Sequence, residues 1–354
     1  MHIGIAGAGL LGRLLAFELA RTGHSVEVFD PAPGPQAPAA GRYAAGWTAA
    51  GMLSPTAELE SADEQVFALG LRSLDLWPAI VAALDQPVEL HRRGSLLLAH
   101  RGDEGAARRV VDLLQHKAPA AHAPQRLDAP ALRDLEAEVH GVAHAWLLPH
   151  EGQIHTVQAM QALAHAAASA GARFHWNSAV QRLQAGEIHL AQDVKKYDCV
   201  FDVRGTGARP ENSATGQDEG FTPEVRGVRG EIIWLHAPGV ALQRPVRLLH
   251  PRHRVYLVPR AGDHIVVGAS EIESEDRSPI SLRSMVELLA AAHSIIPGLA
   301  EARIVHTETN LRPALPDNLP RVEQNPGLVR INGLFRHGWL IAPALVEQTL
   351  KDLA

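Results

Sequence analysis

Gly7, Gly9 and Gly12 follow the short apolar run Ile3-Gly4-Ile5-Ala6 and precede Leu14, Leu15, Phe17 and Leu19 at helical spacing. Ser25-Val26-Glu27-Val28-Phe29 reads as a second strand, with Asp30 at its tip, 18 residues beyond Gly12. A Gly-x-Gly-x-x-Gly turn between strand and helix, with an acidic residue ending the next strand, is the arrangement that binds a dinucleotide. Gly7 permits the tight turn. Gly9 admits the pyrophosphate to the backbone at the positive end of the helix that Leu10 and Leu11 open. Gly12 lets that helix pack closely on the strand. Asp30, followed by Pro31, can accept hydrogen bonds from both ribose hydroxyls, and its charge disfavours a 2′-phosphate. The fingerprint alone does not separate NAD from FAD.

Other chemistry-bearing residues are less ordered. The stretch from Arg244 to Arg260 is basic, with Arg244, Arg247, His250, Arg252, His253, Arg254 and Arg260. Residues i and i+2 of a strand share a face, so Arg252 and Arg254 fall on the side of Tyr256. That reads either as an anion site or as a solvated hairpin tip. The 20 histidines are scattered without metal-ligand spacing, and the one cysteine, Cys199, excludes an internal disulfide or a multi-cysteine metal site. No metal is expected.

The elements that must hold these groups change character along the chain. The N-terminus alternates strand and helix. Ala44 to Met52 is rich in small residues, which suits a backbone lying against a flat ligand or an Ala-rich helix start. Glu64 to Leu84 has helical spacing, with a kink or break expected near Pro78. Ala118 to Pro130 reads as an exposed connection. Tyr197 to Val203 reads as a buried strand closed by a second glycine turn, Gly205-Thr206-Gly207. From Gly227, hairpin-spaced strands such as Val255-Tyr256-Leu257-Val258 indicate an antiparallel sheet with one helix, Ser281 to Ile295. The fold class is therefore α/β at the nucleotide end and α+β overall.

The chain has 354 residues, 46% hydrophobic and 20% charged, which is more than one core usually sustains, so two domains are expected. A net charge of -6 gives no electrostatic reason to expect nucleic acid or an anionic membrane. No apolar run reaches the roughly 18 residues of a membrane span. No room for a signal peptide precedes the first strand, so a cytoplasmic location is expected.

Several motifs occur in a fixed order after the fingerprint. They are Ala49-Ala50-Gly51-Met52-Leu53-Ser54-Pro55, Glu151-Gly152-Gln153, Tyr256-Leu257-Val258-Pro259-Arg260, Val267-Gly268-Ala269-Ser270-Glu271, Leu311-Arg312-Pro313, and Phe335-Arg336-His337-Gly338-Trp339-Leu340-Ile341-Ala342-Pro343. Over nearly the whole chain this set resembles the D-amino-acid oxidase superfamily of FAD-dependent oxidoreductases, nearest its glycine oxidase branch, which is associated with thiamine biosynthesis. The resemblance implies non-covalent FAD in a Rossmann-like domain interleaved with an antiparallel-sheet substrate domain. The expected segments are 1–85, 140–215 and 305–354 for FAD, and 86–139 and 216–304 for substrate.

The implied reaction is oxidative deamination of a small amino acid or secondary amine, such as glycine, sarcosine or a D-amino acid, with oxygen as acceptor. A dehydrogenase with another acceptor and a non-catalytic flavin-binding subunit are the rival readings, and a homo-oligomer is left open. Arg312, Tyr256 and Arg336 match the residues that position substrate, and Met52 lies beside them. The cofactor residues that match are Gly7, Gly9, Leu10, Leu11 and Gly12, Asp30 with Pro31, Thr48, Ala50 to Met52, Val180, Gly205 to Gly207, and Leu334-Phe335-Arg336-His337-Gly338-Trp339-Leu340. If the Tyr256 face of its strand meets the flavin, Arg254 brings a second arginine to the substrate, and a second anionic group on the substrate follows. Asn310 stands where a glycine often precedes Leu-Arg-Pro, and Leu334 where a histidine is common.

Overall fold

Buried β-branched and aromatic residues build the first sheet of the computed structural model, which describes residues 1–38, 41–209, 224–250 and 254–353. Its strand order is Arg321–Asn325, Leu328–Asn332, Cys199–Asp202, His2–Ala6, Ser25–Phe29 and Arg173–His175. All neighbours are parallel except the edge strand Arg321–Asn325. A parallel sheet must be covered on both faces. The helices Leu10–Arg21, Thr156–Ser169 and Gly338–Lys351 bury one face through Leu14, Leu15, Leu163 and Leu345. The small antiparallel sheet Arg182–Gln184, Glu187–His189, Val194–Lys196 covers the other through Leu183, Ile188 and Tyr197. The chain leaves His2–Ala6 toward Ser25–Phe29 on one side, and Cys199–Asp202 flanks it on the other. That reversal opens a crevice at the carboxyl ends of these strands, where Gly7 and Gly205 stand.

The second large sheet has eight strands, in the order Arg303–Ala314, Arg226–His236, His264–Gly268, Arg254–Arg260, Val246–Leu249, Ser95–Ala99, His144–Leu148 and Gln125–Leu127. Alternation assigns its two faces. Val255, Leu257, Ile265 and Val267 pack with Leu288 and Ala292 of the helix Leu282–Ile295. Tyr256, Val258, Val266 and Ile232 pack instead with Ala50 and Met52. The same face therefore looks toward the nucleotide end of the molecule.

Several expectations change. His144–Leu148 and most of Arg303–Ala314 fall in segments the sequence assigned to FAD, but both are strands of the eight-stranded sheet. We propose that the domain boundary follows sheet membership. Ala118 to Pro130 is not only connection, since Gln125–Leu127 forms an edge strand. Its polar, exposed residues carry no apolar alternation, which is usual for an edge. The helix Glu64–Ala82 runs through Pro78 without a break.

The last helix also contains a proline, Pro343. Proline removes the N–H that would bond the carbonyl four residues back, here Trp339. The Trp77 indole donates to that carbonyl at 3.0 Å, and the two indoles stack at 5.6 Å. The Trp339 indole in turn donates to the Gly46 carbonyl at 3.0 Å. Thus the Gly-Trp-Leu-Ile-Ala-Pro run ties the last helix to the segment lining the crevice. Replacing the fully buried Trp77 by Phe removes this donor and some ring volume. The expected cost is about 2–4 kcal/mol, read as a lower urea midpoint at unchanged m-value.

Candidate active site

One cavity of about 1360 Å³ runs from Gly7 and Asp30, past Ala50, to Tyr256 and Arg312. Every residue that the sequence placed at a nucleotide or substrate lines it, except Gly12. Gly12 stands behind the turn, and a Cβ there would lie 1.8 Å from the Gly7 carbonyl oxygen. Gly7 has φ +103°, and a Cβ on it would meet the Val203 carbonyl at 2.8 Å. These two positions accept only glycine, and the result is a bare backbone cradle at the start of Leu10–Arg21. Asp30 holds the cradle from the side: its carboxylate accepts from the Ala8 N–H at 2.6 Å and the Ala32 N–H at 2.8 Å. A carboxylate has about four acceptor sites, so two remain for ribose hydroxyls.

Arg13, which the sequence reading passed over, is buried beneath this turn. It donates to the carbonyls of Ala8 at 2.7 Å, Met160 at 2.6 Å and Pro35 at 3.0 Å, and stacks on Trp47. Burial lowers its pKa to about 10, although nearby Asp30 opposes the shift. It remains charged at neutral pH. On the far side, Arg204 pairs with Asp202 through two contacts of 2.9 and 2.8 Å and donates to the Val180 carbonyl at 3.2 Å.

The middle of the cavity is walled by residues 45–53. This segment is a single helical turn, Ala45–Thr48, followed by the strand Met52–Leu53. Gly51 has φ +69°, and a Cβ there would meet the Ile154 carbonyl at 2.1 Å. Arg260 lies behind it, buried, donating to the carbonyls of Ala50 and Ile154. Asn310 donates to Thr48 Oγ1 at 3.1 Å and to the Tyr43 carbonyl at 3.3 Å. It fastens the same segment to the eight-stranded sheet.

Two more glycines shape the far end. Gly230 pairs with Asn310, and the Arg312 guanidinium lies over it: a Cβ on Gly230 would be 2.5 Å from Arg312 Cζ. Gly268 pairs with Tyr256, and a Cβ there would be 2.5 Å from the phenol oxygen. Arg312 donates to the carbonyls of Arg229 at 3.2 Å and Ser270 at 3.1 Å. Burial pushes its pKa down, with Tyr256 and Glu271 opposing. Burial pushes the Tyr256 phenol up, so it stays protonated and can donate.

Glu58, unnoticed in the sequence, organises the arginines around them. Arg336 reaches its Oε2 through Nε at 2.9 Å and Nη2 at 2.8 Å, His337 Nε2 lies 3.0 Å from the same oxygen, and Arg247 Nη2 is 3.3 Å from Oε1. Burial works against the Glu58 charge, yet Arg336 first, then His337 and Arg247, hold its carboxyl well below the usual range. Burial also opposes the Arg336 charge, but Glu58 and Glu271 hold its pKa above the ordinary value. Arg254 lies at the rim, 54% exposed, 3.4 Å from Glu60. Arg244 is elsewhere, bound to Glu136 at 2.9 Å. Arg252 lies outside the described residues.

A parallel sheet with a glycine cradle at its switch point, continuous with a cation-lined pocket, has the form of a dinucleotide-binding site. The model of the DAO family, FAD dependent oxidoreductases, matches residues 2–349, and the chain belongs to that family. A Rhizobium etli protein, named provisionally as the thiamine biosynthesis oxidoreductase ThiO, is 38% identical over all of this chain and 96% of its own. Glycine oxidase of Geobacillus kaustophilus is 27% identical, covering 99% of this chain and 95% of that protein. Its crystal structure superposes with a TM-score of 0.83 over 99% of this chain and 93% of the other, at 26% identity. Iminodiacetate oxidase from Chelativorans has a TM-score of 0.80 over 98% and 93% of the two chains, also at 26% identity. The protein is an oxidoreductase of the glycine oxidase and ThiO type, in a family of FAD enzymes.

The glycine floor gives a direct test. Gly230→Ala forces the Arg312 guanidinium off its seat, and binding of acetate is expected to weaken at least about tenfold, since a shift of about 1 Å at a reacting site can cost 10²-fold. A spectral titration reads the loss. A second test concerns His155, beside Arg260. Burial and then the Arg260 charge lower its pKa to about 4. The folded form thus binds its proton less well than the unfolded chain, and stability is lost as pH falls from about 6.5 toward 4. Tm between pH 7 and 5 is expected to fall more steeply in the wild type than in His155→Gln.

Proposed function

We propose that this protein oxidatively deaminates a small amino acid or secondary amine, holding FAD non-covalently along the cavity. The observation that carries the reading is the juxtaposition of Arg312 and Tyr256 over two glycines, at the end of the cavity opposite the dinucleotide cradle. FAD would lie with its ribose on Asp30, its pyrophosphate on the Gly7–Gly12 turn, and its ring against Ala50–Met52 and the Gly338 helix start. The bound group would supply the hydride acceptor.

The protein supplies grip and field. Arg312 presents a planar pair of N–H donors to a carboxylate, and the protonated Tyr256 phenol adds a third. Two fixed points orient the carbon–nitrogen bond beside the carboxylate. The surrounding positive potential lowers the pKa of a bound amine, so the neutral form, with its lone pair available, is favoured without a side-chain base. The N–H groups that open Gly338–Lys351 favour negative charge nearby.

The relatives support a primary or secondary amine next to a carboxylate: one is named for glycine, another for iminodiacetate. Oxygen is the acceptor we infer. The test is an absorption spectrum of the purified protein, then anaerobic addition of glycine, sarcosine, iminodiacetate and D-amino acids. Flavin bands that bleach, and peroxide on readmitting air, are expected. Arg312→Leu is expected to lower kcat/KM by at least about 10²-fold while the flavin stays bound. A yellow protein that no amine bleaches contradicts the reading. Bleaching with dye reduction but no peroxide contradicts the choice of oxygen.

A further inference from the structure

Arg247 has no task in the reaction just described, yet it lines the same cavity. It stands on Val246–Leu249 directly opposite Tyr256, which puts the two Cβ atoms about 5 Å apart on one face. Tyr256 leans away from it, over Gly268 and toward Arg312. The sheet therefore sets Arg312 and Arg247 on opposite sides of the phenol.

The donors of Arg247 are largely unspent. Among the described residues its one hydrogen bond is from Nη2 to Glu58 Oε1 at 3.3 Å, and its Nε is buried without a partner. The other Glu58 oxygen is taken by Arg336 and His337. A guanidinium drawn out of water needs close to its full set of acceptors. By comparison, Arg244 and Arg260, from the same basic stretch, make three and four hydrogen bonds. Arg254 remains in solvent at the rim.

We propose that Arg247 forms a second carboxylate subsite, and that the preferred substrate is an amine bearing two carboxylates. This rests on the assignment of Arg312 and Tyr256 to the first carboxylate. An amino acid with one carboxylate leaves Arg247 short of acceptors. A substrate such as iminodiacetate or D-aspartate places its second carboxylate across Tyr256, at the Nη atoms of Arg247.

The test uses the flavin-loaded protein and two readouts. First, acetate, succinate and glutarate are titrated against the flavin absorption spectrum, which needs no turnover. At least one diacid is expected to bind ten or more times tighter than acetate. Arg247→Met should abolish that preference, and Arg247→Lys should keep part of it. Second, kcat/KM for iminodiacetate should fall at least tenfold further than that for glycine in Arg247→Met. Equal affinities for acetate and both diacids overturn the proposal. So does a preference that survives Arg247→Met in protein of normal flavin content, or one that is lost in Arg254→Ala instead. A protein that prefers diacids but oxidises no amine contradicts the proposed reaction and leaves the subsite standing.

Discussion

At Gly230 and Gly268 the eight-stranded sheet has no side chain, and the space is filled by the Arg312 guanidinium and the Tyr256 hydroxyl. Neither glycine has a left-handed backbone, so close approach explains them, not conformational freedom. The floor must be flat for a planar guanidinium to lie on it. Among the described residues Arg312 is held there by two carbonyl dipoles, not by a carboxylate. A carboxylate partner would neutralise the group that we propose attracts substrate. Carbonyls orient it and leave its charge available, and its burial lets that charge act strongly.

The other arginines are arranged differently, and Glu58 is the reason. It closes the short helix Pro55–Glu58 and receives Arg336 and His337 from the start of the last helix and Arg247 from the sheet. One buried carboxylate thereby joins three elements distant in sequence. Phe335, at φ +48°, turns the chain that carries Arg336 and His337. Arg336 is more committed than Arg312, since Glu58 and Glu271 both claim it. Its first task is to join the last helix to the cavity wall. Behind these groups, Trp77, Trp339 and Gly46 form a chain of hydrogen bonds from the helix core to the cavity lining.

The sequence made local features plain and distant ones invisible. The turn Gly7–Gly12 and Asp30 are readable because their spacing is set within one strand–helix–strand unit. Arg312 and Tyr256 are recognisable only within an ordered set of motifs, because each alone is an ordinary strand residue. Glu58 sits in Pro55-Thr56-Ala57-Glu58, where nothing local marks it; its meaning comes from residues 189, 278 and 279 positions away. The basic stretch was visible as a whole but not as four fates. Its described arginines brace Ala50 (Arg260), pair with Glu136 (Arg244), sit at the rim (Arg254) or enter the cavity (Arg247), and sheet register and tertiary partners decide which. Gly230 gave a faint signal, as a glycine inside a strand, which often marks a close approach. The extent of the eight-stranded sheet was underestimated where its strands were polar or far from their neighbours in sequence.

The central claim is that Arg312 and Tyr256, seated over Gly230 and Gly268, form the carboxylate clamp of a flavin site. A crystal structure of the flavin-loaded protein with glycolate bound tests it most directly. The account predicts the glycolate carboxylate within about 3 Å of the Arg312 guanidinium and the Tyr256 hydroxyl, with its α-carbon facing the flavin ring. A carboxylate bound elsewhere in the cavity, or an Arg312 guanidinium found away from Gly230, would contradict it.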